Sequence, residues 1–180
     1  MVRAERLDPE RAVLVVVDVQ EAFRPAIDGF DAVVEACAAL IQGARALDLP
    51  IIVTEQYPQG LGDTVPELLE YLDGVERLPK TVFAATQADG FSLGGRDQAI
   101  LCGVEAHVCV SQTALDLLGA GATVHVAADA VSSRTADNRA IGLRRMEEAG
   151  ATTSSTEMAL FELVGAAGSE AFKTIQRLVK

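Results

Sequence analysis

Ala12-Val13-Leu14-Val15-Val16-Val17-Asp18 is a run of six apolar residues closed by a carboxylate. It has no polar alternation, so it reads as a strand buried on both faces, as in a parallel sheet covered by helices. Pro50-Ile51-Ile52-Val53-Thr54, Ala99-Ile100-Leu101-Cys102-Gly103 and Ala122-Thr123-Val124-His125-Val126-Ala127 repeat the pattern, with weaker candidates at Glu76–Leu78 and Ala151–Ser155. Between the strands lie helical stretches. Asp31–Leu47 puts Val33, Val34, Cys37, Leu40, Ile41 and Ala44 on one face, and Val110–Leu118 and Asn138–Ala149 read alike. Gly119-Ala120-Gly121 and Gly150 stand where a helix C-cap would precede a strand, and Phe161–Lys180 reads as one or two helices broken near Gly165 and Gly168. Strand and helix in alternation predict an α/β fold with a mainly parallel sheet and helices on both faces. Ligands then bind beyond the carboxyl ends of the strands, near the irregular segments Gln56–Thr64 and Ala84–Gly95.

The length of 180 residues fits one domain spanning 1–180, with no linker or internal repeat to divide it. Apolar residues at 49% are enough for a folded core. A net charge of −11 argues against nucleic acid and anionic membrane surfaces as partners. No apolar run approaches the roughly 20 residues that span a bilayer. Met1-Val2-Arg3-Ala4-Glu5-Arg6 is charged and leads into no signal-peptide core, so a cytoplasmic location is expected. Cys37, Cys102 and Cys109 form no paired framework, and in a reducing compartment they are free thiols.

Three residues fall at the ends of different strands. Asp18 either starts a solvated turn or points into the ligand crevice. Lys80, after Leu78-Pro79, is either a surface charge or a site cation. Cys109 falls where a helix begins after the Ala99–Gly103 strand; it is either a buried structural cysteine or a thiol whose thiolate the helix N-terminus favours. The fold would carry all three to one crevice, where a carboxylate can take a thiol proton and an ammonium can steady the anions. Cys37 and Cys102 read as core thiols, and His125, between Val124 and Val126, as a satisfied core histidine. His107 is a weaker candidate base than Asp18 and is placed against the pocket or the backbone. Gln20, Phe23 and Tyr57 follow strand ends and are candidates for the substrate-binding wall, with ordinary loop packing as the alternative. Gly60-Leu61-Gly62 and Gly119-Ala120-Gly121 lack the third glycine and the strand-to-helix context of a dinucleotide fingerprint, and no GxxxxGK[ST] is present.

Val15-Val16-Val17-Asp18-Val19-Gln20-Glu21-Ala22-Phe23-Arg24, Thr54-Glu55-Gln56-Tyr57-Pro58, Pro79-Lys80-Thr81-Val82-Phe83, Cys102–Leu117 and Ala128-Asp129-Ala130-Val131-Ser132-Ser133-Arg134 together resemble the isochorismatase-like hydrolase superfamily, in its cysteine-hydrolase branch. Gly103-Val104-Glu105-Ala106-His107-Val108-Cys109-Val110 is the most specific stretch. The resemblance implies a three-layer αβα, Rossmann-like fold with a six-stranded parallel sheet. It implies Asp18, Lys80 and Cys109 as catalytic residues and a cis peptide between Val104 and Glu105. That peptide would turn the Glu105 N–H, beside that of Cys109, toward an oxyanion, with His107 among the pocket residues. It also implies a homo-oligomer. Isochorismatase itself lacks the nucleophilic cysteine present here. Nicotinamidases carry an Asp-x-His metal motif in the loop that reads Thr54-Glu55-Gln56-Tyr57-Pro58 in this chain, so no metal and no cofactor are expected. The expected function is hydrolysis of a small amide or related C–N bond through a thioester. The alternatives are a non-catalytic oligomeric binding protein and a redox-sensing thiol protein with Cys102 as resolving partner.

Overall fold

The computed structural model describes residues 5–180; residues 1–4, the start of the charged opening stretch, lie outside the described residues. Six strands form one sheet: β1 Ala12–Val17, β2 Ile51–Gln56, β3 Arg77–Lys80, β4 Gln98–Val104, β5 Thr123–Ser132 and β6 Thr152–Ser154. Their order is β3-β2-β1-β4-β5-β6, and every neighbouring pair is parallel. The strand order therefore turns back between β1 and β4, and a crevice opens at the carboxyl ends of such a pair.

All six residues of β1 are buried, because the strand is central and covered on both faces. Its odd and even positions feed two separate cores. Leu14 and Val16 join the helices α1 Phe30–Ala46, α6 Thr156–Val164 and α7 Glu170–Leu178 on one face. Val13, Val15 and Val17 join α4 Ser111–Gly119 and α5 Ala136–Glu148 on the other. The face of α1 read from its spacing is the buried one: Val33, Val34, Cys37, Leu40, Ile41 and Ala44 are all in the core. Serine or threonine hydroxyls cap three helices. Thr135, Ser155 and Ser169 accept from the amides of Asn138, Met158 and Phe172 and open α5, α6 and α7. Gly165 and Gly168, at φ 67° and 102°, separate α6 from α7.

Several expected boundaries move. The Gln56–Thr64 segment holds the short helix α2 Pro58–Leu61, and α3 Pro66–Leu69 follows it. β3 extends past the expected Leu78 through Pro79 to Lys80; its edge position tolerates a proline that donates no ladder bond. β5 runs on past Ala127 to Ser132, beyond a register shift against β4 that realigns Val131 with Gly103. The polar Asp129 interrupts the apolar run there, which hides the extension from a periodicity reading.

Candidate functional site

Asp18 follows β1 directly and adopts φ 54°, a left-handed conformation uncommon outside glycine. Its side chain is fully buried. Oδ1 accepts the Thr54 hydroxyl at 2.7 Å, and Oδ2 accepts Lys80 Nζ at 2.7 Å. The Lys80–Asp18 pair is excluded from water on both sides. Lys80 reaches it from the last position of β3, two strands away in the sheet from β1. Cys109 arrives from the opposite side of the switch point. After β4 the chain makes a π-helical turn, Ala106–Val110, before α4 begins. The Val104–Glu105 peptide ahead of that turn is cis. Cys109 is 6% exposed, and the charges of both Asp18 and Lys80 act on its thiol.

Two glycines allow this approach. Gly103, at φ 109°, faces Val17 across the β1–β4 pair, and a Cβ there would lie 2.0 Å from the Val17 carbonyl oxygen. Gly142 lets α5 seat against the π-turn; a Cβ there would lie 2.7 Å from the Ala106 carbonyl oxygen and 2.8 Å from the His107 Cα.

The electrostatics correct one expectation. Cys109 sits inside the π-turn rather than free at a helix N-terminus, and its thiol is not held as thiolate. Burial first and the Asp18 charge second push the thiol up to about 12, against the pull of Lys80 and of the Glu105 backbone. Burial also raises the Asp18 carboxyl above the ordinary carboxylate range, although Lys80 and Thr54 oppose it. Both shifts favour the protonated thiol over the thiolate and raise the proton affinity of the neighbouring carboxylate.

The remaining candidates scatter. Gln20 is fully buried, with no surface left for a ligand. Its amide donates to the Gln56 and Gly62 carbonyls at 3.0 and 2.6 Å and accepts from the Gln56 N–H at 2.7 Å. It braces the β2 end, because a buried amide must spend its donors on whatever backbone is near. Phe23 packs against the α1-side core. Tyr57, 52% exposed, stands at the lip, and its N–H donates to the Lys80 carbonyl at 2.7 Å. His107 is half-buried, with Nδ1 3.0 Å from the Ser133 hydroxyl. The Glu105 carboxylate accepts from the Arg134 backbone N–H and Nε, both at 3.1 Å.

His125 is buried, but among the described residues neither ring nitrogen has a hydrogen-bond partner, which corrects its reading as satisfied. Cys102 belongs to the α1-side core with Cys37, whereas Cys109 belongs to the opposite core, so the sheet separates Cys102 from the thiol it was expected to resolve. Two site residues escaped the sequence reading. Thr54 bonds Asp18, and Gln56 Oε1 accepts Lys80 Nζ at 2.6 Å. Their signal was a polar Thr-Glu-Gln closing an apolar strand at its carboxyl end.

A cavity of about 250 Å³ is lined by Pro58, Pro79, Lys80, Thr81, Val82 and Gln87 among others; Asp18 and Cys109 do not line it. Among the described residues no group of three or more His, Cys, Asp and Glu side chains is placed to hold a metal ion. Nor is any of their helices long and apolar enough to cross a membrane.

A six-stranded parallel sheet in this order, flanked by helices, defines an α/β protein with an acid, an amine and a thiol gathered at the carboxyl ends of its strands. The Isochorismatase domain matches residues 12–158, and the chain belongs to that family. Isochorismatase domain-containing protein 2A of Mus musculus is 43% identical over 178 residues, covering 97% of this chain and 85% of its own length. The structure of the MAR1 ribonuclease from Caenorhabditis elegans superposes with a TM-score of 0.91 at 41% identity, covering 97% of this chain and 92% of that one. YcaC from Pseudomonas aeruginosa, solved with hexane-2,5-diol and covalent acrylamide, superposes at 0.88 and 27% identity over 99% of this chain and 93% of that one. The Escherichia coli YcaC gene product, described as an octameric hydrolase of unknown specificity, gives 0.88 and 25% identity over 99% and 92%.

Proposed function

We propose that this chain is a cysteine hydrolase that cleaves a small amide or related C–N bond. The observation that carries the reading is that the buried Lys80–Asp18 ion pair and the buried Cys109 thiol, from three separate strand ends, lie close enough for both charges to act on the sulfur. Structural ion pairs rarely place a thiol on the carboxylate of a buried lysine–aspartate pair, and a nucleophile with its base is the economical use of one.

Because the resting thiol is protonated, attack and proton transfer proceed together. Asp18 takes the Sγ proton as sulfur attacks the carbonyl carbon. The backbone N–H groups of Glu105 and Cys109 receive the negative charge that develops on oxygen. Asp18 then returns the proton to the leaving nitrogen, the C–N bond breaks, and a thioester remains on Cys109. A water molecule, deprotonated by Asp18, attacks that thioester and releases the acid and the thiol. Lys80 keeps a positive charge beside Asp18 through the cycle and offsets the anion at each step. The covalent acrylamide carried by the Pseudomonas neighbour supports a reactive nucleophile in this fold, since acrylamide is an electrophile that thiolates attack.

The ribonuclease named for the Caenorhabditis neighbour is the rival reading. This chain's net charge of −11 opposes it, because a polyanionic substrate would be repelled. The octamer of the Escherichia coli neighbour supports assembly of several copies here as well.

The test is a screen of small primary amides and N-carbamoyl compounds, with mass spectrometry of the intact protein. The expected result is turnover of at least one compound, a transient acyl adduct on Cys109, and loss of both in Cys109→Ala. Turnover that survives Cys109→Ala would overturn the mechanism.

A further inference from the structure

Gln56 closes β2 and is held on every side. Its backbone N–H and carbonyl are both bonded to the Gln20 amide, at 2.7 and 3.0 Å. Its own Nε2 donates to the Thr81 carbonyl at 3.0 Å, which turns Oε1 toward Lys80 Nζ at 2.6 Å. An ammonium has three N–H groups. Those of Lys80 meet Asp18 Oδ2 at 2.7 Å, Gln56 Oε1, and the neighbouring carbonyls of Phe83 and Val82 at 3.0 and 3.3 Å. Asp18 is the one charged acceptor among them.

We propose that Gln56 is a positioning residue for the hydrolysis: it saturates the buried Lys80 ammonium with a neutral acceptor, so that Asp18 remains the lysine's single anionic partner and the lysine's charge stays available to the Asp18–Cys109 pair. The inference rests on Cys109 as nucleophile. A glutamate at position 56 would place a second carboxylate on the same ammonium and draw it from Asp18. An apolar side chain would remove the short neutral acceptor and leave the third N–H only the Val82 carbonyl at 3.3 Å, which makes the lysine's charge costlier to hold. Either change weakens the one cation that favours thiolate at Cys109.

The test is the rate of Cys109 alkylation by iodoacetamide at a fixed pH of about 8 in the full chain, followed by mass spectrometry, with no substrate required. In Gln56→Met and in Gln56→Glu the rate is expected to fall about tenfold, whereas mere loosening of the fold would expose the thiol and raise it. Either variant carries the test if the other does not fold. In a Lys80→Met background the slowing already exists, and adding Gln56→Met is expected to leave the rate unchanged, because Gln56 acts through the lysine. A folded Gln56→Met or Gln56→Glu protein with an unchanged or raised rate would overturn the proposal, as would an equal extra slowing in the Lys80→Met background. Failure of the hydrolase reading is separate: it shows as absent amide turnover in the wild type, whatever the alkylation rate does.

Discussion

Asp18 has two effects on Cys109 that pull in opposite directions. Its negative charge raises the thiol, while in the proposed mechanism its free electron pairs are the base for the attack. One substitution separates them. Asp18→Asn removes the charge and leaves Lys80 facing the sulfur, so the thiol falls from about 12. Cys109 alkylation at mildly alkaline pH is then expected to speed up about tenfold or more. Amide turnover in the same variant is expected to fall by about 10²- to 10⁴-fold, since no group remains to carry the proton to the leaving nitrogen. Parallel alkylation and turnover measurements check both signs. Loss of folding would also expose the thiol and speed its alkylation, so a melting temperature of the variant well above the assay temperature is the control that separates the two.

The π-turn is the element on which the site depends. It presents Cys109 between β4 and α4, and α5 closes over it because Gly142 has no side chain to intervene. Gly142 lies inside a helix with ordinary backbone angles, so a change to alanine acts through space alone. The added methyl meets backbone atoms at 2.7 and 2.8 Å, which cannot rotate away as a side chain would. Gly142→Ala is expected to cost roughly 1–3 kcal/mol by overpacking. For a chain of this size that lowers the melting temperature by roughly 2–12 °C. Because the yielding element holds Cys109, its alkylation rate is expected to change as well, which calorimetry and mass spectrometry on one sample would show. A substitution on the outer face of α5, such as Ile141→Ala at a half-exposed position, should leave that rate where it is.

At the scale of the whole molecule, the Asp18–Lys80–Cys109 cluster occupies the carboxyl end of the sheet, and a buried histidine lies away from it. His125 lies in β5 near its start, facing the α1 side, with Glu162 of α6 as the nearby charge. Burial lowers its proton affinity, with Glu162 opposing, so the folded protein keeps the ring neutral while the unfolded chain takes a proton near pH 6.5. The folded pKa is the lower of the two. Stability is therefore full above about 6.5 and is lost as pH falls below it, at up to about 1.4 kcal/mol per pH unit. Denaturant melts at about pH 7 and pH 5.5 are expected to show that loss in the wild type and a flatter response in His125→Leu.

Much of this architecture was legible because a strand buried on both faces must be apolar throughout, and a helix packed on one side must repeat its apolar residues every three or four positions. The β1 run and the α1 face satisfy those demands locally, so the α/β class and a mainly parallel sheet follow from the chain alone, whereas the strand order is set by the folded sheet. Local rules also carried the expectation that Asp18, Lys80 and Cys109 stand at strand ends. What they could not reach depends on neighbours distant in sequence. The proton state of Cys109 is decided by burial and by a carboxylate 91 positions earlier (109 − 18 = 91), not by the helix that follows it. The roles of Gln20, Thr54 and Gln56 depend on which donor and acceptor the folded sheet sets beside them, and any of these side chains could have faced water instead. Cys102 and Cys109 are seven residues apart and lie on opposite faces of the sheet. Distance along a chain says little about distance through space once a strand, a turn and a helix have intervened, and electrostatics depends on the second distance alone.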